Sequence, residues 1–373
     1  MTNKEKAIEI FRLLEDNHIN LYHDIAKDDF EIELNKFLEI ADNLDDIHFD
    51  AEMSKLFSLF KDAHTMYWID DKRVDKCIKF INNKFRYYDI KEQICEEIVA
   101  VNGYEISEVI QNLSKLVQYE VEQWLNDTLT FDLRGIKHLQ MIDCENADNP
   151  NHIEYTVKSG KKFIKTLSNK KKEKQQFYSF EELDDHILKI NYKSCADMEE
   201  YPFVKFVEDI KSKYKTLPRA CVVDMRNNGG GNDVIIFPLI EWLKEKNIKT
   251  YVLMNGGVFS SGVFGLIDLK HHLNATLIGT NAGQSAHCYG ECRWLKVGDK
   301  EFSYCRKYFN QTTIDTKQNV EEFPIKKVVE YLDPIKPDIY LEEKIEDVRL
   351  GIDGQLSDCL EIIKKDLEVR RNL

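Results

Sequence analysis

Apolar residues recur at helical spacing in Ile8, Ile10, Phe11, Leu13 and Leu14, and again in Phe30, Leu34, Phe37, Leu38 and Ile40, and residues 1 to 62 contain neither Gly nor Pro. That pattern predicts a helical N-terminal region over 1–62. From 63 to 175 the period changes. TMYWI, CIKFI and FRYYDI alternate as strands do, and EEIVAVNGYEISEVIQNLSKLV then sets a strand, an Asn-Gly turn and a helix in succession. A third regime fills 176–373: HILKINY, a helix from about Met198 to Lys215, ACVVDM, a helix from about Val234 to Lys246, TYVLM, a helix from about Gly262 to Leu273, and ATLIG. Alternation of apolar strands with amphipathic helices implies right-handed crossovers and an α/β core whose largely parallel sheet is covered by helices. Strand-like pattern returns from about Gly290 to Tyr308, and a helix is predicted from about Gln355 to Arg371.

At 373 residues the chain can bury a large core and form two or three domains. Its 66 acidic against 52 basic residues give a formal charge of −14, which works against general affinity for nucleic acid or anionic membrane. The segment VKSGKKFIKTLSNKKKEKQQ is basic, but in so acidic a chain it reads as an exposed hairpin and connection rather than a nucleic-acid contact. The N-terminus lacks the uninterrupted apolar stretch of a secretory signal, and no later run is long enough to span a bilayer, so a cytoplasmic location is expected. Nine irregularly spaced cysteines in such a chain read as reduced thiols.

Two stretches carry candidate chemistry. VVDMRNNGGGN, residues 222–232, runs a buried strand into three glycines, which let a backbone come close to a bound group. A nucleotide-binding reading fails there, because no Lys-Ser or Lys-Thr follows and the G-x-G-x-x-G spacing is missing. NGGVFSSGVFG, residues 255–265, stands between a strand and a helix. Loops after neighbouring parallel strands lie at the same sheet edge, so both stretches are expected to face one crevice. Ser260 and Ser261 then have two readings: a plain helix cap, or a nucleophile followed by the backbone N–H that an oxyanion needs.

VVDMRNNGGGN, then VLMNGGVFSSG, then ATLIGTNAGQS resembles, in that order, the tail-specific or carboxy-terminal processing serine peptidase family, which includes the tricorn core protease. LFKDAHTMYW, EEIVAVNGYEISEVI and KPDIYLEEKIEDVRLGIDGQL resemble further segments of the same family, so the similarity covers most of the chain from about Phe57 onward. The resemblance implies a degenerate PDZ-like module over 63–175 and a crotonase-like catalytic core over 176–373. It implies that Ser260, five residues after Asn255, is the nucleophile, that His64 is the general base, and that the backbone N–H groups of Gly230 and Ser261 form the oxyanion hole. In the branch that uses a Ser-Lys dyad a lysine follows in the glycine loop; here that place holds Gln284, which leaves the base to His64. A downstream glutamate orients the histidine in the tricorn-like branch. Glu330 is the candidate by its place before the Pro-Asp strand, with Asp333 and Glu291 as alternatives.

The implied partner is a peptide or protein substrate, with no nucleic acid, no membrane and no cofactor. The runner-up is a non-catalytic protein on the same fold that binds a peptide or a hydrophobic ligand. His287, Cys288 and Cys292 in SAHCYGEC, with Cys305 nearby, match no common zinc spacing and read as part of a strand, so no metal is expected. Cys221, before a buried strand, reads as a small core residue.

Overall fold

Thr2 starts the first helix with a reciprocal cap: its hydroxyl accepts from the Glu5 N–H while the Glu5 carboxylate accepts from the Thr2 N–H. Two donors that the helix cannot satisfy are thereby paired. The computed structural model describes residues 1–167, 176–309 and 334–371. Two units divide these residues, the first made of 1–167 and 287–309, the second of 176–286 and 334–371. Among the described residues no helix is long and apolar enough to cross a membrane.

The first unit begins with α1 (Asn3–Asn17), α2 (Lys27–Ile40) and α3 (Asp46–Ser58). Their apolar stripes meet through aromatic rings: Phe11 and Phe30 lie 5.2 Å apart and Phe30 and Phe60 4.8 Å, all buried. An antiparallel sheet follows, built from β1 (Ile78–Ile81), β2 (Lys84–Asp89), β3 (Ile94–Val101), β4 (Tyr104–Glu105), β5 (His152–Val157) and β6 (Lys162–Thr166), in the order β1-β2-β3-β5-β6 with β4 beside β3. Asn102 (φ +51°) and Gly103 (φ +88°) turn β3 into β4, as the VNGYEI pattern predicts, because both central positions of this tight turn need positive φ. Between β4 and β5 run α4 (Ile106–Ser114), α5 (Glu122–Asp132) and α6 (Ile136–Gln140). The expected strand TMYWI is only an isolated bridge, Tyr67 to Phe302. The basic segment contributes the edge strand β6, and its residues 168–175 lie outside the described residues.

In the second unit, β7 (Tyr178–Leu183) and β8 (Ile187–Tyr192) are antiparallel. Then strand and helix alternate: α7 (Phe203–Lys213), β9 (Ala220–Asp224), α8 (Phe237–Glu245), β10 (Thr250–Met254), α9 (Ser261–Leu273) and β11 (Thr276–Gly279). Residues 287–309, in the first unit, supply β12 (Cys288–Gly290), β13 (Arg293–Val297), β14 (Lys300–Tyr304) and β15 (Lys307–Phe309). The second unit is completed by β16 (Ile339–Tyr340), α10 (Ile345–Leu350) and α11 (Gly354–Arg371). Its sheet runs β16-β11-β10-β9-β8-β7, parallel at every step from β8 to β16. Every residue of β9 and of β10 is buried, as continuous apolar runs in a sheet covered on both faces should be.

One polar cluster pins the second unit's last segment to its sheet. Arg226 grips Asp224 with two bonds (2.9 and 2.8 Å) and Asp353 with two more (2.8 and 2.7 Å). Lys193 adds an ion pair to Asp224 at 2.8 Å. Burial pushes the Asp224 carboxyl up, but Arg226 and Lys193 overcome that and hold it at about 2. The Asp-x-Arg of VVDMRNN and the Gly-x-Asp of LGIDG are thus two halves of one clamp, with the planar guanidinium serving both carboxylates.

Candidate active site

The parallel sheet of the second unit delivers three loops to one edge. Asn255, just past β10, accepts the Asn227 N–H at 2.8 Å, and the Phe259 N–H donates to Asn228 O at 3.0 Å, which ties the glycine loop to the serine turn. The loop after β11 joins through the Gly283 N–H to Val258 O at 2.9 Å. Glycine is required where the strands of backbone come closest: a Cβ on Gly230, whose φ is +100°, would sit 2.6 Å from the Ser260 Cβ and 2.9 Å from the Ser261 N.

Ser260 stands at that contact in a left-handed conformation, φ +53° and ψ −132°, immediately before α9. An L residue rarely adopts such a backbone, and the strain is held only where surroundings over-determine it. Here they do so through the Gly230 backbone on one side and, on the other, the buried Gln284, whose Oε1 accepts the Ser260 N–H at 2.8 Å. A sharp strand-to-helix turn of this kind lifts a serine hydroxyl clear of the backbone, as in a nucleophile elbow. The cap reading of the serine pair does not hold for Ser260, which makes no side-chain cap bond. Its neighbour uses its hydroxyl structurally, Ser261 Oγ donating to Gly231 O at 2.8 Å.

Ser261 is the first residue of α9, where a backbone N–H has no acceptor within its own helix. Such a donor beside a reacting carbonyl is what an oxyanion requires. Gly230 is less simply placed. Its N–H donates to Asn228 Oδ1 at 3.0 Å, and that amide also holds Tyr192 O at 2.9 Å. The Asn before the glycines therefore takes a bond that glycine spacing alone suggests is open.

His64 lies in the first unit, in the loop after α3. Lys61, at φ +51°, ends the helical path, and Asp62 organises the loop beyond it: its carboxylate accepts the His64 N–H at 2.9 Å and the Thr65 hydroxyl at 2.5 Å. The loop is also sewn to β14, because Ser303 Oγ donates to His64 O at 2.6 Å and Ser303 N–H to Met66 O at 2.8 Å. His64 is buried, and burial lowers its pKa below the ordinary histidine value while the Asp62 charge opposes the shift. A ring nitrogen of His64, a carboxylate oxygen of Asp62 and one of Glu120 lie within 4.8 Å of one another. Sequence reasoning passed over both acids, although Asp62, two residues before the histidine, was open to inspection.

Of the acids expected to orient His64, Glu330 and Asp333 lie outside the described residues. Glu291 spends its carboxylate on Lys307 at 3.0 Å and Arg293 at 3.8 Å, and the Lys307 bond lowers its pKa. His18, Asp62 and Cys305 form a second group with atoms within 4.8 Å. Its donors point inward as a hydrogen-bond network. His18 Nδ1 accepts the Asn20 N–H at 3.0 Å, which leaves the proton on Nε2, facing Asp62 Oδ2 at 3.4 Å. A cation there would have to displace that proton, and the Cys305 thiol hydrogen that meets the same oxygen at 3.2 Å. Of the SAHCYGEC residues, His287, Cys288 and Cys292 are in neither group.

No protein-family model matches this sequence, and no curated protein does. Solved structures do. The chain is similar to mature CPAF, with a TM-score of 0.64 at 12% identity over 98% of each chain. A structure of mature CPAF complexed with lactacystin gives a TM-score of 0.67 at 10% identity, over 98% of this chain and 99% of the other. A protein from Parabacteroides merdae ATCC 43184, described as a peptidase, gives 0.50 at 11% identity over 97% of each. At 10–12% identity these likenesses show that the chain shares the fold of mature CPAF and of the Parabacteroides merdae protein.

Proposed function

We propose that this chain is a serine peptidase of the tail-specific type, with a peptide or protein as its substrate and neither metal nor organic cofactor in its reaction. The observation that carries the reading is the Ser260 turn: a serine held at φ +53° before a helix, its hydroxyl not spent on a cap, braced by the Gly230 backbone and by Gln284. Ser260 attacks the scissile carbonyl while His64 takes the hydroxyl proton and later delivers it to the leaving amine. The Ser261 N–H supports the oxyanion, with the Gly230 N–H sharing its bond to Asn228 as the second donor. Asp62 fixes the histidine loop, and Glu120 or Glu330 supplies the carboxylate facing the imidazolium. Within this reading, 1–62 is the helical leader of the fold, 63–175 the PDZ-like module and 176–373 the crotonase-like core.

A fluorophosphonate probe, which acylates activated serines, tests the proposal. Labelling should map to Ser260, vanish in Ser260→Ala and persist in Ser261→Ala, whose lost side-chain bond is worth about 1 kcal/mol. A folded wild-type protein that resists the probe, yet binds peptides, would replace the peptidase with a non-catalytic binder on the same fold.

A further inference from the structure

The Cys292 and Cys305 sulfurs are 4.0 Å apart, and strand register explains why. β12 and β15 pair Gly290 with Lys307, and β13 and β14 pair Arg293 with Tyr304. The two ladders share one register, so Cys292 stands directly across from Cys305 in the gap between them. Opposite residues of antiparallel strands bring their Cβ atoms to roughly 4.5–5.5 Å, slightly beyond the span a disulfide bridges. The gap is irregular, with Glu291 at φ +53°, so the ideal strand spacing does not apply across it.

The two thiols differ in surroundings. Cys292 is partly exposed, whereas Cys305 is buried and donates to Asp62 Oδ2 at 3.2 Å. That same carboxylate holds the His64 N–H and the Thr65 hydroxyl. We propose that Cys292 and Cys305 form a reversible disulfide, a redox modification site whose co-reactant is a low-molecular-weight disulfide such as oxidised glutathione and whose closure loosens Asp62 and the His64 loop. Burial keeps the Cys305 thiol protonated well above its ordinary range, which makes Cys292 the sulfur that reacts first.

The exchange balances. The Cys292 thiolate attacks one sulfur of oxidised glutathione and expels a glutathione thiolate, leaving a mixed disulfide. The Cys305 sulfur, surrendering its proton, then attacks the Cys292 sulfur and expels the second glutathione thiolate. Two protein thiols are oxidised, one glutathione disulfide is reduced, and both protons end on the released glutathione. In the product the Cys305 sulfur has no hydrogen to give. Asp62 loses a donor and faces a lone pair in its place.

The test uses the whole protein equilibrated in glutathione buffers of rising oxidised fraction, then quenched with N-ethylmaleimide in denaturing guanidinium chloride, so that the buried thiols also react. Of the nine cysteines, seven should be alkylated in the oxidised form, with a 292–305 linked peptide, and nine after dithiothreitol. Cys292→Ser should show no linked peptide. Hydrogen exchange should quicken at least tenfold at the His64 and Thr65 amides in the linked protein and stay at the reduced rate in Cys292→Ser under the same buffer. Full alkylation throughout, glutathione retained on Cys292, or a link to Cys288 would overturn the disulfide; unchanged exchange in protein proven to be linked would overturn its hold on His64. The disulfide does not rest on the peptidase reading. If reduced protein fails to take a fluorophosphonate, the Ser-His mechanism falls while thiol count and exchange still decide this site.

Discussion

Replacing Arg226 with Met removes the guanidinium from the clamp at the end of β9 while keeping much of its apolar stem. Asp224, 3% exposed, would then keep Lys193 alone as a cationic partner. Removing one member of a buried ion pair typically destabilises by about 3–5 kcal/mol, because the remaining charge stays desolvated. The structure supplies a partial check on that figure. Holding Asp224 at about 2 instead of 3.8 corresponds to roughly 2.5 kcal/mol at neutral pH, at about 1.36 kcal/mol per unit; Asp353, whose pKa Arg226 also lowers against the effect of burial, adds to it. The sign follows from a depressed carboxyl: this stability is complete above the unfolded value near 3.8 and is lost as pH falls from there through about 2. About half of the Asp224 share therefore survives at pH 3. Urea unfolding by circular dichroism, at pH 7 and pH 3, should show Arg226→Met destabilised by about 3 kcal/mol or more at pH 7 and by distinctly less at pH 3. Arg226→Met with Asp224→Asn should recover part of the loss, since the most deeply buried carboxylate is gone. A single variant within about 1 kcal/mol of wild type at pH 7, or a double variant no better than the single, would refute the clamp.

Two further outcomes concern the site itself. Because burial lowers the pKa of His64, the rate of probe acylation should stay flat through neutral pH and fall only below the ordinary histidine value of about 6.5; a half-maximal rate at pH 7 or above would contradict a buried imidazole as the base. Gln284→Ala, which from sequence alone looks dispensable because an amide cannot act as base, should slow labelling by about tenfold, the worth of the one bond to the Ser260 N–H; labelling at the wild-type rate would show that Gln284 does not hold the turn.

Periodicity exposed the parallel sheet well, because β9, β10 and β11 are predominantly apolar runs alternating with helices. It failed over 64–70, where Tyr67 and the Trp68 N–H attach to β14, more than two hundred residues onward. No local pattern carries that information. The order of the motifs singles out Ser260 and His64 as candidates, and the positive φ of Ser260 is a feature that no motif order displays. The prior commitments of polar groups could not be read. Gln284 reads as a lost lysine yet holds the Ser260 N–H, and the Gly230 N–H is met by Asn228. Such pairings depend on rotamers and on loops brought together by the fold. Cys292 opposite Cys305 is a matter of register, invisible until both ladders are known.

The interleaving of the two units has a consequence for how the chain is made. As synthesis proceeds from the N-terminus, the residues of β14 that fasten the His64 loop emerge only after the whole β7–β11 alternation has been released. Asp353 and β16 come later still, so a nascent chain that has finished its serine turn holds Arg226 with only one of its two carboxylates. Neither unit can complete its bonding from an uninterrupted stretch of sequence. The histidine loop and the last parallel strand are therefore late events of biogenesis, and a fragment cut between 309 and 353 would carry every residue of the Ser260 turn without the Asp353 half of the clamp.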